Sequence, residues 1–276
     1  MEHTYRAFNK ITDLKHALEI NHYDYQAEGR RELTELILLV QMLHAGGYKG
    51  ELRLLPMRWH YLRTLQQIAS NPGAMLGTSI WHDTVQVRKD LWVSDDLVQR
   101  GEYLVGLYAS PKNAKALAAA NLRDVQKLTA VSNRGFLVDW KTLERMKLKN
   151  IQNTVKWLNM VKMVASQRVD FMLLSFQDEP NLQLIQVLPA SKTPGLLSHQ
   201  TSVGRAITLV PIPKLQVSLG SARNYIAHKD ITHSDSAAID AVNRGLKQFR
   251  AAGRIDRAFT ESGFFNEKTR DWKIIN

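Results

Sequence analysis

The sequence predicts an α/β protein built as two successive α/β lobes. Three observations predict it. Strand-like and helix-like apolar periods alternate from His16 to Trp81, the alternation starts over after Glu102, and a long amphipathic helix remains near the C-terminus. A length of 276 residues leaves room for two modest domains, each able to bury a core.

The elements follow in order. His16 to Asn21 carries Ala17, Leu18 and Ile20 ahead of Tyr23, Asp24 and Tyr25, which predicts a short strand ending in an aromatic loop. From Arg31 the period changes, because Leu33, Leu36, Ile37, Val40 and Leu43 recur at three and four residues. Glu32 and Glu35 lie in the first turn of this helix, and Gly46-Gly47 stops it. Glu51 to Leu55 reads as a strand closed by Pro56, Tyr61 to Ile68 as a helix ending before Asn71-Pro72-Gly73, and Ala74 to Trp81 as a third strand. That order predicts a parallel sheet with right-handed crossovers.

The second unit opens with the apolar strand Glu102 to Tyr108. Strands are then expected at Leu128 to Val131, Ile151 to Val155 and Val169 to Phe176, with helices at Phe136 to Met146 and Trp157 to Ser166. Leu184 to Leu188 and Ala206 to Val210 flank a Pro, Gly and Ser-rich loop, Pro189 to Ser202, and Leu215 to Leu219 and Tyr225 to His228 continue the strand pattern. Ser236 to Ala252 is the remaining helix, with Ile239, Val242, Leu246 and Phe249 on one face and Gly253 at its end. A leftover helix after two units suggests that the chain passes between lobes more than once.

Composition removes several function classes. Cysteine is absent, so disulfides, thiolate zinc sites and cysteine nucleophiles are excluded. The longest apolar stretch, Leu36 to Leu43, is interrupted by Gln41 and is far shorter than the ~20 residues of a membrane span. The N-terminus shows no basic segment followed by an apolar one, which predicts either a cytoplasmic protein or one whose leader has been removed. A formal charge of +11 permits an anionic partner, but Lys and Arg are spread without a run of five or six, so nucleic acid is not expected.

Four stretches carry a resemblance. Glu32 to Tyr48 with Glu51 to Met57, the turn Asn71-Pro72-Gly73-Ala74-Met75, the segment Gln167-Arg168-Val169-Asp170-Phe171, and Ala241-Val242-Asn243-Arg244-Gly245-Leu246 through Ile255 occur in an order that resembles the family 3 extracytoplasmic solute-binding proteins. Their fold is the bilobed type II periplasmic binding protein. The resemblance implies a two-crossing hinge, with residues 1–107 and 223–276 in one lobe, residues 108–222 in the other, and a ligand cleft between them. It also implies a periplasmic location with the leader absent, a small-molecule ligand, a monomer, and an ABC importer permease as partner. A membrane sensor is the alternative partner.

Candidate ligand contacts follow from the resemblance and from the residues themselves. The family's carboxylate-gripping Arg lies in a T-x-x-R segment, and Thr84-Val85-Gln86-Val87-Arg88 is one residue longer, so Arg88 reads equally well as a surface Arg. A helix N-terminus supplies the second anchor, where Ser132 and Arg134 of Val131-Ser132-Asn133-Arg134-Gly135 stand. The resemblance places an ammonium-binding Asp five residues after Asp170, and this chain has Ser175 there. A hydroxyl cannot pair with an ammonium charge, which favours a polar or anionic ligand over an ordinary amino acid.

Tyr23, Tyr25, Trp59 and Trp81 fall near strand ends or helix starts, where a ring could stack on a ligand, and Asp83 follows Trp81 closely. Open α/β sheets bind ligands beyond the carboxyl ends of their strands, which is where Tyr23, Tyr25, Trp81, Arg134 and Ser175 are expected. No nucleophile elbow, His-Glu-x-x-His, phosphate loop or dinucleotide fingerprint occurs. His22 with Asp24, or His82 with Asp83, is the nearest approach to an acid/base pair. The expectation is a binding protein without catalysis, cofactor or metal.

Overall fold

The computed structural model describes residues 2–25, 30–56, 61–177, 179, 181–188, 206–229 and 231–276. Trp59 and the Pro189 to Ser202 loop lie outside the described residues. Two compact units result: unit 1 comprises Met1–Tyr103 and Gly220–Glu267, and unit 2 comprises Leu104–Leu219 and Lys268–Asn276. The chain therefore passes between units at 103/104 and 219/220, and a third time at 267/268, where its last residues enter unit 2.

In chain order, unit 1 opens with α1 (Glu2–Ile11), α2 (Arg30–Ala45), α3 (Tyr61–Ser70), β1 (Ile80–Trp81), α4 (His82–Val85) and β2 (Leu91–Val93). Unit 2 follows with β3 (Leu104–Ala109), α5 (Ala114–Leu117), α6 (Leu122–Val125), β4 (Thr129–Ser132), α7 (Leu137–Arg145), β5 (Asn150–Asn153), α8 (Trp157–Ala165), β6 (Phe171–Leu174), β7 (Leu184–Val187) and β8 (Ala206–Ser218). The chain then returns through β9 (Arg223–Asn224), β10 (Ile226–His228), α9 (Ile231–Ala251) and α10 (Arg254–Glu261), and ends in β11 (Lys273–Ile274).

Unit 1 is organised by α2. Burial extends beyond the residues spaced by three and four, since Leu38 and Leu39 are as buried as Leu33, Ile37 and Met42. A helix buried on every side must be enclosed by packed neighbours, and its polar side chains must find partners there. Gln41, the polar interruption, is also buried: its amide donates to the carbonyls of Ala17 at 2.7 Å and Ile20 at 2.9 Å, and its oxygen accepts from the Tyr23 hydroxyl at 2.8 Å. Those bonds explain one correction. His16–Glu19 is a 3-10 turn rather than a strand, begun by Asp13 accepting from the Lys15 and His16 amides and tied to α2 by Gln41.

Helix α9 crosses α2 closely enough that glycine is required on both. A Cβ at Gly46 would meet the Ala241 carbonyl oxygen at 1.9 Å, and one at Gly245 would meet that of Met42 at 2.1 Å. Arg244 then reaches the Gly46 carbonyl with two donors, at 2.9 and 2.7 Å, and satisfies the end of α2.

The parallel sheet expected in the first half is a second correction. Described ladders in unit 1 are two-stranded and antiparallel, β1 with β9 and β2 with β10. Glu51 to Leu55 forms no strand; it finds no ladder partner among the described residues, and Leu55 is 79% exposed. Of Ala74 to Trp81 only β1 is strand, with one isolated bridge from Met75 to Ala227.

Unit 2 contains the mixed sheet, in the order β11-β8-β3-β6-β4-β5 with β7 beside β8. Strand β4 runs parallel to β5 and β6, whereas β3 runs antiparallel to β6 and β8. Ala206 to Val210 and Leu215 to Leu219, expected as separate strands, join in the single strand β8. Parallel pairing of β11 with β8 explains why the C-terminal residues leave the lobe that 223–276 was expected to share. Met160, Val161 and Val164 of α8 pack over Tyr108, Val131, Met172 and Phe176 to form the unit 2 core.

Two predictions follow. Gly245→Ala drives a methyl into the α2 backbone and should destabilise the chain by about 1–3 kcal/mol in urea titration. Gly135→Ala meets only the Asn133 side chain, at 3.2 Å, and should stay within about 0.5 kcal/mol; equal losses would refute the close-crossing account. The second concerns Asp139 on α7, whose carboxylate is only half covered yet sits among packed atoms, so that burial pushes it up to about 6 from an ordinary 3.8. The folded protein then binds the extra proton between those values, and stability falls as pH rises through that window. Asp139→Asn should melt above the parent at neutral pH and level with it near the lower end of the window, as read by calorimetry at both.

Candidate functional site

In unit 1 the register of β1 against β9 places Trp81 directly opposite Arg223. Paired residues of an antiparallel ladder present their side chains on the same face, and the Arg223 guanidinium lies 4.6 Å from the centre of the Trp81 ring. Arg223 is nearly buried and is held by Ser79, its Nε donating to Oγ at 2.8 Å and its Nη2 to the carbonyl at 2.7 Å. Its Nη1 has no hydrogen-bond partner among the described residues.

Beneath this pair sits Glu35 of α2, 0% exposed. One carboxylate oxygen accepts from Ser79 Oγ at 2.6 Å and Arg31 Nη1 at 2.8 Å, with Arg223 Nε at 3.5 Å; the other accepts from the Ser79 amide at 2.9 Å. Burial alone would raise the Glu35 carboxyl, but Arg31, Arg223 and the Ser79 donors together hold it below its ordinary value. Arg223 is lowered to about 10, first by burial and then by the like charge of Arg31, and stays cationic at neutral pH.

Aromatic rings continue the site. Tyr103 lies 5.6 Å from Trp81 and stacks on Phe264 at 4.5 Å, while the Arg31 guanidinium stands 5.7 Å from the Phe264 ring. Arg31 also pairs with Glu32. The result is a chain of three rings bracketed by two guanidinium groups that share the buried Glu35 carboxylate.

Asp83 lies next to this group on α4. Its carboxylate accepts from Ser221 Oγ at 3.0 Å and Arg100 Nη2 at 3.3 Å, and Arg100 also reaches the Gly220 carbonyl. His82 approaches Asn224 Oδ1 at 3.3 Å rather than Asp83, so the sequence pair His82-Asp83 is not an acid/base couple here. His22 approaches Glu261 at 3.7 Å. Arg88 is engaged by Asp90 through a two-point contact at 2.7 and 2.5 Å.

Tyr23 is fully buried. Its hydroxyl donates to Gln41 and accepts from Arg254 at 3.0 Å, and burial raises its pKa. Tyr25 meets it edge-on at 6.3 Å and is 8% exposed; its buried hydroxyl finds no partner among the described residues.

Unit 2 gathers the other candidates at one sheet end. Ser132 closes β4 opposite Asn153 of β5, and Ser175 follows β6, which runs parallel to β4. The loop between β4 and α7 is tied down by Asn153 Oδ1 accepting from the Arg134 amide at 2.9 Å and by Asn133 Nδ2 donating to the Val155 carbonyl at 3.2 Å. The Arg134 guanidinium itself lies 5.2 Å from the Trp140 ring. Ser132, Arg134 and Ser175 thus share the carboxyl ends of parallel strands, where such sheets bind ligands.

The structure brings Trp81 and Asp83 close to Arg223, Arg31, Tyr103, Phe264 and Ser221, none of which the sequence reading singled out as a contact. Their signal was faint. Glu35 reads as an ordinary first-turn acid, though a carboxylate directly before Leu36, Ile37 and Leu38 needs a buried partner. Among the described residues no group of three or more His, Asp or Glu side chains is placed to hold a metal ion. None of the helices is long and apolar enough to cross a membrane, again among the described residues.

No protein-family model and no curated protein matches this sequence. Solved structures do match. A probable amino-acid ABC transporter extracellular-binding protein from Bacillus subtilis aligns at 12% identity over 82% of this chain and 85% of its own, with a TM-score of 0.51. A putative binding component of an ABC transporter from Wolinella succinogenes, complexed with lysine, aligns at 17% identity over 85% and 87%, also at 0.51. An ancestral cationic amino acid solute-binding protein aligns at 15% over 92% and 99%, at 0.50. These likenesses establish the fold, that of the type II periplasmic binding proteins.

Glu35→Gln leaves the buried Arg223 guanidinium without its carboxylate and Arg31 with Glu32 alone, and should cost about 3–5 kcal/mol in chemical denaturation. Because the folded carboxyl is depressed, its contribution is present above the unfolded value of 4.5 and is lost as pH falls through the folded value. The variant should therefore show a flatter acid limb than the parent; a parallel limb would refute the charge account.

Proposed function

We propose that this chain is a solute-binding protein that captures a small polar or anionic molecule without chemical conversion. The observation that carries the reading is the Arg223 guanidinium laid on Trp81, its Nη1 unengaged among the described residues, beside Tyr103 and Phe264. A ring offers a flat apolar face, and a guanidinium edge beside it offers directed donors to an oxyanion. Ser132, Arg134 and Ser175 of unit 2 are the further proposed contacts. Likeness in fold to binding proteins of ABC transporters supports capture as the activity.

The choice of ligand charge rests on where the acids are. Glu35 and Glu32 pair with Arg31, Asp83 accepts from Arg100 and Ser221, and Ser175 stands where the resemblance implies an Asp. An ammonium group would find these carboxylates already engaged, and burying it unpaired is costly. The Wolinella relative was solved with lysine, so this chain differs from it in ligand under the proposal. Extracytoplasmic location, action as a monomer, and delivery to an ABC importer permease or to a membrane sensor complete the reading.

A thermal-shift and calorimetric screen of small carboxylates, neutral polar metabolites, lysine and arginine tests it. A ligand at about 100 times its Kd should add about 2.7 kcal/mol and raise the melting temperature by roughly 5 °C. Trp81→Ala should weaken that ligand about tenfold or more, with Arg134→Ala acting in the same direction. Tight binding of lysine or arginine, with every anionic and neutral solute silent, would overturn the charge preference; silence across all classes would overturn capture.

A further inference from the structure

A second feature lies wholly within unit 2 and involves none of the residues assigned above. A groove of about 770 Å3 runs between α8 and the β7–β8 pair. Sites for small molecules span roughly 300–1,000 Å3. Helix α8 lines it with Asn159, Lys162 and Met163, and Ser166, the residue that caps it, follows on the same side. Lys112, from the loop after β3, and Arg168, between α8 and β6, also line it.

The charge in this groove is one-sided. Among the described residues its lining includes no Asp or Glu. Lys112, Lys162 and Arg168 are exposed, and none makes an ion pair among the described residues. Asp170, two residues beyond Arg168, is occupied elsewhere: it accepts from Asn113 Nδ2 at 2.9 Å and from the Thr129 amide at 2.8 Å. Three like charges lining one concavity repel one another, and an oxyanion between them turns that repulsion into charge-assisted hydrogen bonds. Hydroxyls of Ser110 and Thr154 add neutral donors, whereas Met163 and Ile207 offer an apolar wall.

We propose that this groove is a binding site for a small organic polyanion, with clustered phosphate or carboxylate oxygens on a partly apolar body. Lys112, Lys162 and Arg168 hold the oxygens, and the wall of Met163 and Ile207 takes the body. The same chemistry is presented by a soluble metabolite and by an anionic lipid headgroup, and the experiment separates the two.

Calorimetry on the full chain, at about physiological ionic strength, uses pyrophosphate, citrate and phenyl phosphate as probes, with sedimentation against phosphatidylglycerol vesicles as a parallel arm. The expected result is saturable binding of at least one soluble probe, weakened about tenfold or more in K112Q/K162Q/R168Q. The charge-matched variant K10Q/K15Q/K247Q should bind that probe as the parent does. Binding confined to vesicles, and lost in the groove variant alone, identifies a headgroup as the source. Failure of soluble probes and vesicles alike, or equal weakening in the charge-matched variant, overturns the proposal. Lys162→Gln alone, checked by melting temperature, guards against a folding defect in the triple variant and should weaken binding in the same direction.

Discussion

A single buried carboxylate, that of Glu35, sets the geometry on which unit 1 depends. An ionised group with no exposure is tolerated only when hydrogen bonds and counter-charges replace its water. Glu35 obtains them from three places: Arg31 one turn away, the amide and hydroxyl of Ser79, and Arg223. Tyr225 then donates to the Glu35 carbonyl at 2.6 Å, so that the approach to β1, the strand β9 and the residue after it are all fastened to one turn of α2. Moving any of these segments would strand a charge.

From that anchor the presentation of Trp81 follows. Ser79 is fixed by Glu35, β1 begins one residue later, and its pairing with β9 sets Trp81 across from Arg223. Electrostatics therefore positions an aromatic surface in unit 1. Unit 2 reaches its strand-end surface by other means, through apolar packing of α8 on the sheet and side-chain amides that staple the loops, Asn133 to Val155 and Asn153 to Arg134. Asp170 belongs with these staples. The residue that most closely resembles a family motif here works in the scaffold, joining the cap of α5 to the start of β4.

The formal charge of +11 looks diffuse along the sequence but is sorted in the fold. Arg31, Arg223, Arg244, Arg250 and Arg254 are spent on carboxylates and carbonyls inside unit 1, where a planar fork satisfies several acceptors at once. Lys112, Lys162 and Arg168 of unit 2 have no such partners among the described residues and collect along one groove. The same residue types thus serve as internal fasteners in one unit and as unpaired charge in the other.

What the sequence determined by itself was whatever local period and composition dictate. The helices α2, α3, α7, α8 and α9, the strands β3 to β7 of unit 2 and the division into two α/β lobes were legible, because apolar spacing of three to four or of two residues is written into consecutive positions. Short elements escaped. His16–Glu19 has strand-like composition but is bent by Asp13 and Gln41, and Glu51 to Leu55 alternates without a neighbouring strand to pair with. Trp81 and Asp83 were legible as an aromatic beside an acid, and Ser132, Arg134 and Ser175 as strand-end residues. Arg223, Tyr103, Phe264 and the burial of Glu35 were decided only by tertiary structure. A buried charge and its partners are chosen by proximity in space, and Glu35 and Ser79 meet across 44 residues of chain, a separation that no local pattern records.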